Sequence, residues 1–230
     1  GIYLDSSSSE NAVTDNTCSF NNRYGIYLDS SSSENAVTDN TCNNNNYYGI
    51  LLYSSSNNTI TGNTCNNNNY DGIRLYSSST NTITDNTCNN NRYGYGIYLV
   101  TSSNDNTVTG NTCNNNRYGI YLYSSSYNTI TGNTCYNKGT GILLSSSSDN
   151  NTVTGNNCNN NNSTGIELYS SRDNTVTGNT CNDNADYGIE LFLSSTHNTV
   201  TGNTCNNNSI GICLHESSNN NTVTGNTCNN

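Results

Sequence analysis

The sequence predicts an all-β fold: a right-handed parallel β-helix (β-solenoid) of ten coils of about 23 residues. Three observations predict it. First, two blocks recur in step along the whole chain. The tetrapeptide Gly-Ile-x-Leu begins at Gly1, Gly25, Gly49, Gly72, Gly96, Gly119, Gly141, Gly165, Gly188 and Gly211, and a block close to Asn-Thr-Val-Thr-Gly-Asn-Thr-Cys-Asn-Asn alternates with it. Second, apolar residues alternate within each block, as where Ile26 and Leu28 flank Tyr27, and a period of two means strand. Third, the chain has no Asn-Gly dipeptide, the strongest hairpin signal, so successive strands read as stacked coils. Right-handed winding is the default for parallel crossovers.

Each element of the coil then has a reason. Val37, Cys42, Ile50 and Leu52, with their equivalents, form the inward set. Length varies mainly in the Ser-rich stretch (Ser6 to Ser9) and the Asn-rich stretch (Asn43 to Asn46), which marks both as turns. Asn16, Asn40, Asn63, Asn86, Asn111, Asn133, Asn156, Asn179, Asn203 and Asn226 never vary between copies. An Asn stacked in register can donate its amide to the next coil and accept in return, which predicts an asparagine ladder. The Gly before it, or Asp15, Asp39 and Asp85, suits a left-handed corner, and the Gly opening each Gly-Ile-x-Leu is expected to play a similar part.

Composition fits only when read per repeat. The chain holds 54 Asn, 32 Ser and 32 Thr, so more than half of its 230 residues are small and polar, and just 30% are hydrophobic. An ordinary globular enzyme core is excluded, and no apolar run reaches the length of a membrane span. Net charge −10 with six basic residues excludes nucleic acid as a partner.

The pattern Asn-x-Ile/Val-Thr-x-Asn-x-x-x-Asn-Asn-x-x-Gly-Ile-x-Leu-x-x-Ser resembles the parallel β-helix repeats of the NosD-type and the carbohydrate-binding and sugar-hydrolysis families, as found in archaeal and bacterial cell-surface proteins. The resemblance spans the chain. It implies the fold firmly and the function weakly, since such families include surface-layer proteins, adhesins, lyases, epimerases and a copper-site accessory protein. Where those repeats usually carry Ile or Val, this chain has Cys18, Cys42, Cys65, Cys88, Cys113, Cys135, Cys158, Cys181, Cys205 and Cys228. Stacked at ~4.8 Å, these ten form a core cysteine ladder that reads as inert core, as disulfides between coils, or as soft-metal ligands. Cys213 takes an outward position and is a candidate for an intermolecular bridge.

Outward-facing residues make two further columns. Thr-x-Thr pairs such as Thr107/Thr109 and Thr129/Thr131 resemble the faces of ice-binding solenoids, although β-branched Thr suits any exposed strand. Tyr3, Tyr27, Tyr98 and Tyr121, then Tyr53, Tyr76, Tyr123 and Tyr169, form an aromatic stripe suited to self-association or to stacking on sugar rings. Acidic pairs stack at Asp15/Asp39 and Glu167/Glu190, yet no basic residue is expected to join them, and His197 and His215 occupy different repeat positions.

These readings predict one repeat domain over residues 1–230, uncapped at both ends, with no cofactor or metal. The expected function is a non-catalytic structural protein of the cell exterior. It would self-associate end to end and laterally into a surface layer, sheath or filament, with surface polysaccharide as a further partner. The alternatives are a carbohydrate-binding or carbohydrate-active surface protein, and an ice-binding protein.

Overall fold

The computed structural model describes residues 1–229, and they form a parallel β-helix. Ten strands from the Gly-Ile-x-Leu blocks, Ile2–Leu4 through Ile210–Leu214, make one parallel sheet, here sheet A. Ten three-residue strands from the Thr-Val-Thr blocks, Ala12–Thr14 through Thr222–Thr224, make sheet B. Bridges such as Thr112↔Thr134 and Thr180↔Thr204, each just before a cysteine, add a third parallel line. Register never slips: Ile2, Ile26, Ile50 and Ile73 are successive partners, as are Val108, Ile130 and Val153. Insertions are confined to the turns, so they never move a side chain from core to solvent.

The core is the predicted inward set. Ile26, Leu28, Val37 and Cys42, and their equivalents through Cys205, are buried. Cys228 departs from the ladder reading, because it is exposed in the last coil, whereas Cys18 through Cys205 are buried. Every cysteine is free, and burial together with neighbouring thiols raises the titration of Cys65, Cys113 and Cys158, which keeps them protonated.

The asparagine ladder forms as predicted. Asn40 donates its backbone N–H and its side-chain amide to Asn63 Oδ1 at 2.9 and 3.0 Å, and its amide also reaches the Val13 carbonyl at 2.8 Å. Two more ladders accompany it, one through Asn35, Asn58, Asn81 and Asn106, the other through Asn45, Asn68, Asn91 and Asn116. Their recurrence in coil after coil was the available signal for them.

The corner before the ladder is left-handed as expected, with φ +63° at Gly132 and 56° at Asp39. The Gly that opens each Gly-Ile-x-Leu is different from expectation. It has no positive φ and serves close approach instead: a Cβ on Gly165 would lie 2.6 Å from the Gly188 carbonyl oxygen and 2.9 Å from Cys181 Cβ. Glycine is needed there because the sheet and the cysteine column converge.

Candidate functional site

The outer face of sheet A carries three columns of side chains. The middle column is Tyr3, Tyr27, Leu51, Arg74, Tyr98, Tyr121, Leu143, Glu167, Glu190 and Cys213. One flank runs Asp29, Tyr53, Tyr76, Val100, Tyr123, Ser145, Tyr169 and Phe192. The predicted tyrosines therefore do share one face. They stack chiefly on one another: Tyr3 on Tyr27, Tyr53 on Tyr76 and Tyr98 on Tyr121, each pair with ring centroids 4.9 Å apart and planes within 10°. Stacking along the helix axis occupies the ring faces and turns edges and hydroxyls outward. That modifies the expectation of sugar stacking, and leaves hydrogen bonding from the phenols as the main offer of this stripe.

Arg74 interrupts the stripe and is neutralised where it stands. Its guanidinium lies 5.1 Å from the centre of the Tyr48 ring and 4.8 Å from that of Tyr98, and pairs with Asp71 at 3.3 Å. Burial pushes the Asp71 carboxyl up to about 6, opposed by Arg74 and by the Tyr95 N–H that it accepts.

The repeat breaks at the other end of the face, and there the departures gather. Glu167 and Glu190 are directly paired on adjacent strands. Thr140 donates to Glu167 Oε2 at 3.0 Å and Thr164 to Glu190 Oε2 at 3.4 Å. Both threonines stand where other coils carry Tyr24, Tyr48, Tyr95 and Tyr118. His215 closes the cluster, with Nε2 2.8 Å from Glu190 Oε1. This corrects the expectation that no basic residue joins the pair. His197 sits in a turn with φ 58°, but His215 directly follows the sheet A strand Ile210–Leu214 and turns back onto the preceding coil. Repeat position alone does not show such a side-chain reach.

The electrostatics follow from crowding two acids on one face. Burial, then the charge of Glu190, raises the Glu167 carboxyl above the ordinary range. The charge of Glu190 also raises Tyr187, ahead of burial, and with burial it raises Cys213. Cys213 takes the predicted outward column, half-buried beside Glu190. An acid whose titration is raised beside a second carboxylate is an arrangement suited to proton transfer. The Asp15/Asp39 pair makes no such cluster: both residues are exposed at the left-handed corner.

Solved structures with this fold include the Azotobacter vinelandii mannuronan C-5 epimerase AlgE6 A-module, at TM-score 0.78 and 17% identity over 88% of this chain. The periplasmic alginate epimerase AlgG matches at 0.76 and 18% over 89%, and the DFA-IIIase from Arthrobacter chlorophenolicus A6 without its lid at 0.63 and 17% over 89%. The chain spans 58–59% of the length of each of these structures. A comparison with curated protein sequences returns no match. The neighbours share the fold, and they are carbohydrate-modifying enzymes. Together with the Glu167–Glu190–His215 cluster they correct the expectation of a non-catalytic structural protein, favouring the carbohydrate-active alternative; the filament, sheath and surface-layer readings fall with it. The model of one family, the periplasmic copper-binding protein NosD, matches residues 1–116 and 99–230, and the chain belongs to that family.

Proposed function

We propose that this protein is a carbohydrate-active enzyme working outside the cytoplasm, which binds a glycan along sheet A and cleaves it at Glu167 and Glu190. One observation carries the reading. In a chain of near-identical copies, the departures Thr140, Thr164, Glu167, Glu190 and His215 converge on a single patch. Adjacent coils at ~4.8 Å bring the two carboxyl groups nearer the ~5–5.5 Å of retaining glycosidases than the ~6.5–9.5 Å of inverting ones. Glu167 then donates its proton to the glycosidic oxygen as the bond to the anomeric carbon breaks, and Glu190 attacks that carbon. Water, deprotonated by Glu167, afterwards displaces Glu190 with net retention. Epimerisation is less well served, because proton abstraction beside a sugar carboxylate needs a free cation, and His215 is already committed to Glu190.

The family's description names copper, and the residues do not fit it. Among the described residues, no three His, Cys, Asp or Glu side chains converge on a point that could hold a metal ion. The stacked thiols from Cys18 to Cys205 are sealed in the core, while a copper site needs reachable thiolates or imidazoles. The location outside the cytoplasm is supported by the periplasmic family description and the periplasmic AlgG neighbours.

The test is release of reducing ends from a panel of soluble polysaccharides, with product stereochemistry followed by NMR. Glu167→Gln and Glu190→Gln should each lower the rate at least ~100-fold, a loss typical of removing a positioned acid or nucleophile, while the melting temperature stays near wild type. Equal rates in wild type and both variants would sink the proposal, and inversion at the anomeric carbon would overturn the role given to Glu190.

A further inference from the structure

A second feature lies away from the acidic pair, on the turns that lead into sheet A in the first half of the chain. Tyr47, Tyr70 and Tyr93 with Asn22, Asn46 and Asn69 line an open groove of about 470 Å³. None of the three tyrosines belongs to the ladders or to the sheet A columns, and all are exposed, at 42%, 44% and 57%. Tyr47 and Tyr70 stack at 5.5 Å, but Tyr70 and Tyr93 open to 6.5 Å with planes 55° apart, so ring surface is left free between them. The groove is continuous with the sheet A face through edge-on contacts of Tyr47 with Tyr24 and of Tyr70 with Tyr48.

The asparagines give the second observation. In the three ladders, each amide is tied to its neighbours, as at Asn45, whose Nδ2 reaches Asn68 Oδ1 at 3.0 Å. Asn22, Asn46 and Asn69 also stack in register: the Asn46 N–H donates to the Asn21 carbonyl at 3.0 Å and the Asn69 N–H to the Asn45 carbonyl at 3.1 Å. Among the described residues, no side-chain hydrogen bond engages these three amides or the hydroxyls of Tyr47, Tyr70 and Tyr93. The wall therefore presents amides that both donate and accept, phenols that do the same, and partly free aromatic faces. That combination complements the hydroxyls and C–H faces of sugar rings. None of the six lining residues is charged, and the Arg92 guanidinium is occupied 4.8 Å over the Tyr93 ring.

We infer that this groove is a binding subsite for an uncharged polysaccharide, which lies along the helix axis with successive sugars on successive coils. The inference rests on the glycan reading of the protein and adds a ligand class and a separate anchor. Tyr70 feeds the coil of Gly72 and Glu167 lies four coils further on, so roughly 19 Å of axis separates anchor from acid pair at ~4.8 Å per coil.

Affinity electrophoresis of the whole chain tests this in gels cast with xylan, mixed-linkage β-glucan, mannan or inulin, and in parallel with alginate and polygalacturonate. At least one neutral polymer should retard the wild type. The Tyr47→Ala/Tyr70→Ala double variant should lose that retardation at least tenfold, Asn46→Ala/Asn69→Ala should weaken it several-fold, and Glu167→Gln should keep it. Retention unchanged in both double variants would overturn the subsite and leave the Glu167 reaction standing. Retardation confined to the acidic polymers and abolished by salt would overturn the ligand class. Loss of turnover in Glu167→Gln with no retardation of wild type by any neutral polymer would likewise reject the groove alone.

Discussion

A single asparagine in this protein does the work of several ordinary side chains. Asn133 Oδ1 accepts the Asn111 backbone and side-chain N–H groups at 2.9 and 3.0 Å, and its own amide donates to Asn156 Oδ1 and to the Val108 carbonyl. Replacement by Ala strands several buried groups at once, and Asn133→Ala should lose about 3 kcal/mol or more in denaturant unfolding. Asn137 is a contrast within the same coil. Its Nδ2 is buried with no partner, where the spacing from Asn116 contracts to 21 residues and the Asn116–Asn137 bond stretches to 3.4 Å. Asn137→Ala should therefore cost about 1–2 kcal/mol, clearly less than its neighbour. Asp71 adds a pH signature. Its carboxyl titrates at about 6 in the fold against 3.8 ordinarily, so the folded state holds a proton that the unfolded chain releases. Its contribution is complete below the ordinary value and is lost as pH rises through the folded one. Melting temperatures measured across that window should fall for wild type, and Asp71→Asn should flatten the profile.

Strands and turns respond to different constraints, and two glycines separate them. Gly178 has φ +64° with no atom within 4 Å of where a Cβ would stand, so Ala there meets only backbone strain of about 1–2 kcal/mol. Gly165 has ordinary φ but no room, and Gly165→Ala should cost about 3 kcal/mol or more as the sheet is pushed off the cysteine column. Circular-dichroism melting of the two variants should show the larger drop for Gly165→Ala. At this scale the sequence was almost fully legible. Alternation placed Ile26, Leu28 and Val37 inward, and identity across copies announced the Asn40 ladder. The role of Gly165 was hidden, because a demand for space looks like a demand for φ until the neighbouring chain is in place.

The molecule as a whole sorts its eleven cysteines by depth. Nine, from Cys18 to Cys205, are buried, and Cys213 and Cys228 are not. Reduced protein should show about two fast-reacting thiols with a water-soluble disulfide reagent and eleven after denaturation; rapid reaction of all eleven in the native state would contradict the sealed core. The candidate site was less legible than the core for a related reason. Glu167 and Glu190 were visible as a stacked pair, but His215 reaches them by a side-chain path, and Tyr47 and Tyr70 flank turns where the repeat tolerates variation. Repetition exposes what every coil shares and conceals what only one coil does.

Strict register also makes the rod a ruler. Each coil presents the next with the same amide, the same carbonyl line and the same inward residues, so one coil of about 23 residues could be added or removed between Tyr70 and Glu167 with every junction restored. Such an edit would shift the groove relative to the carboxylates by one step of ~4.8 Å and alter neither. The length of glycan spanned between grip and cut is thereby set by a count of coils, a quantity that gene duplication changes in whole numbers.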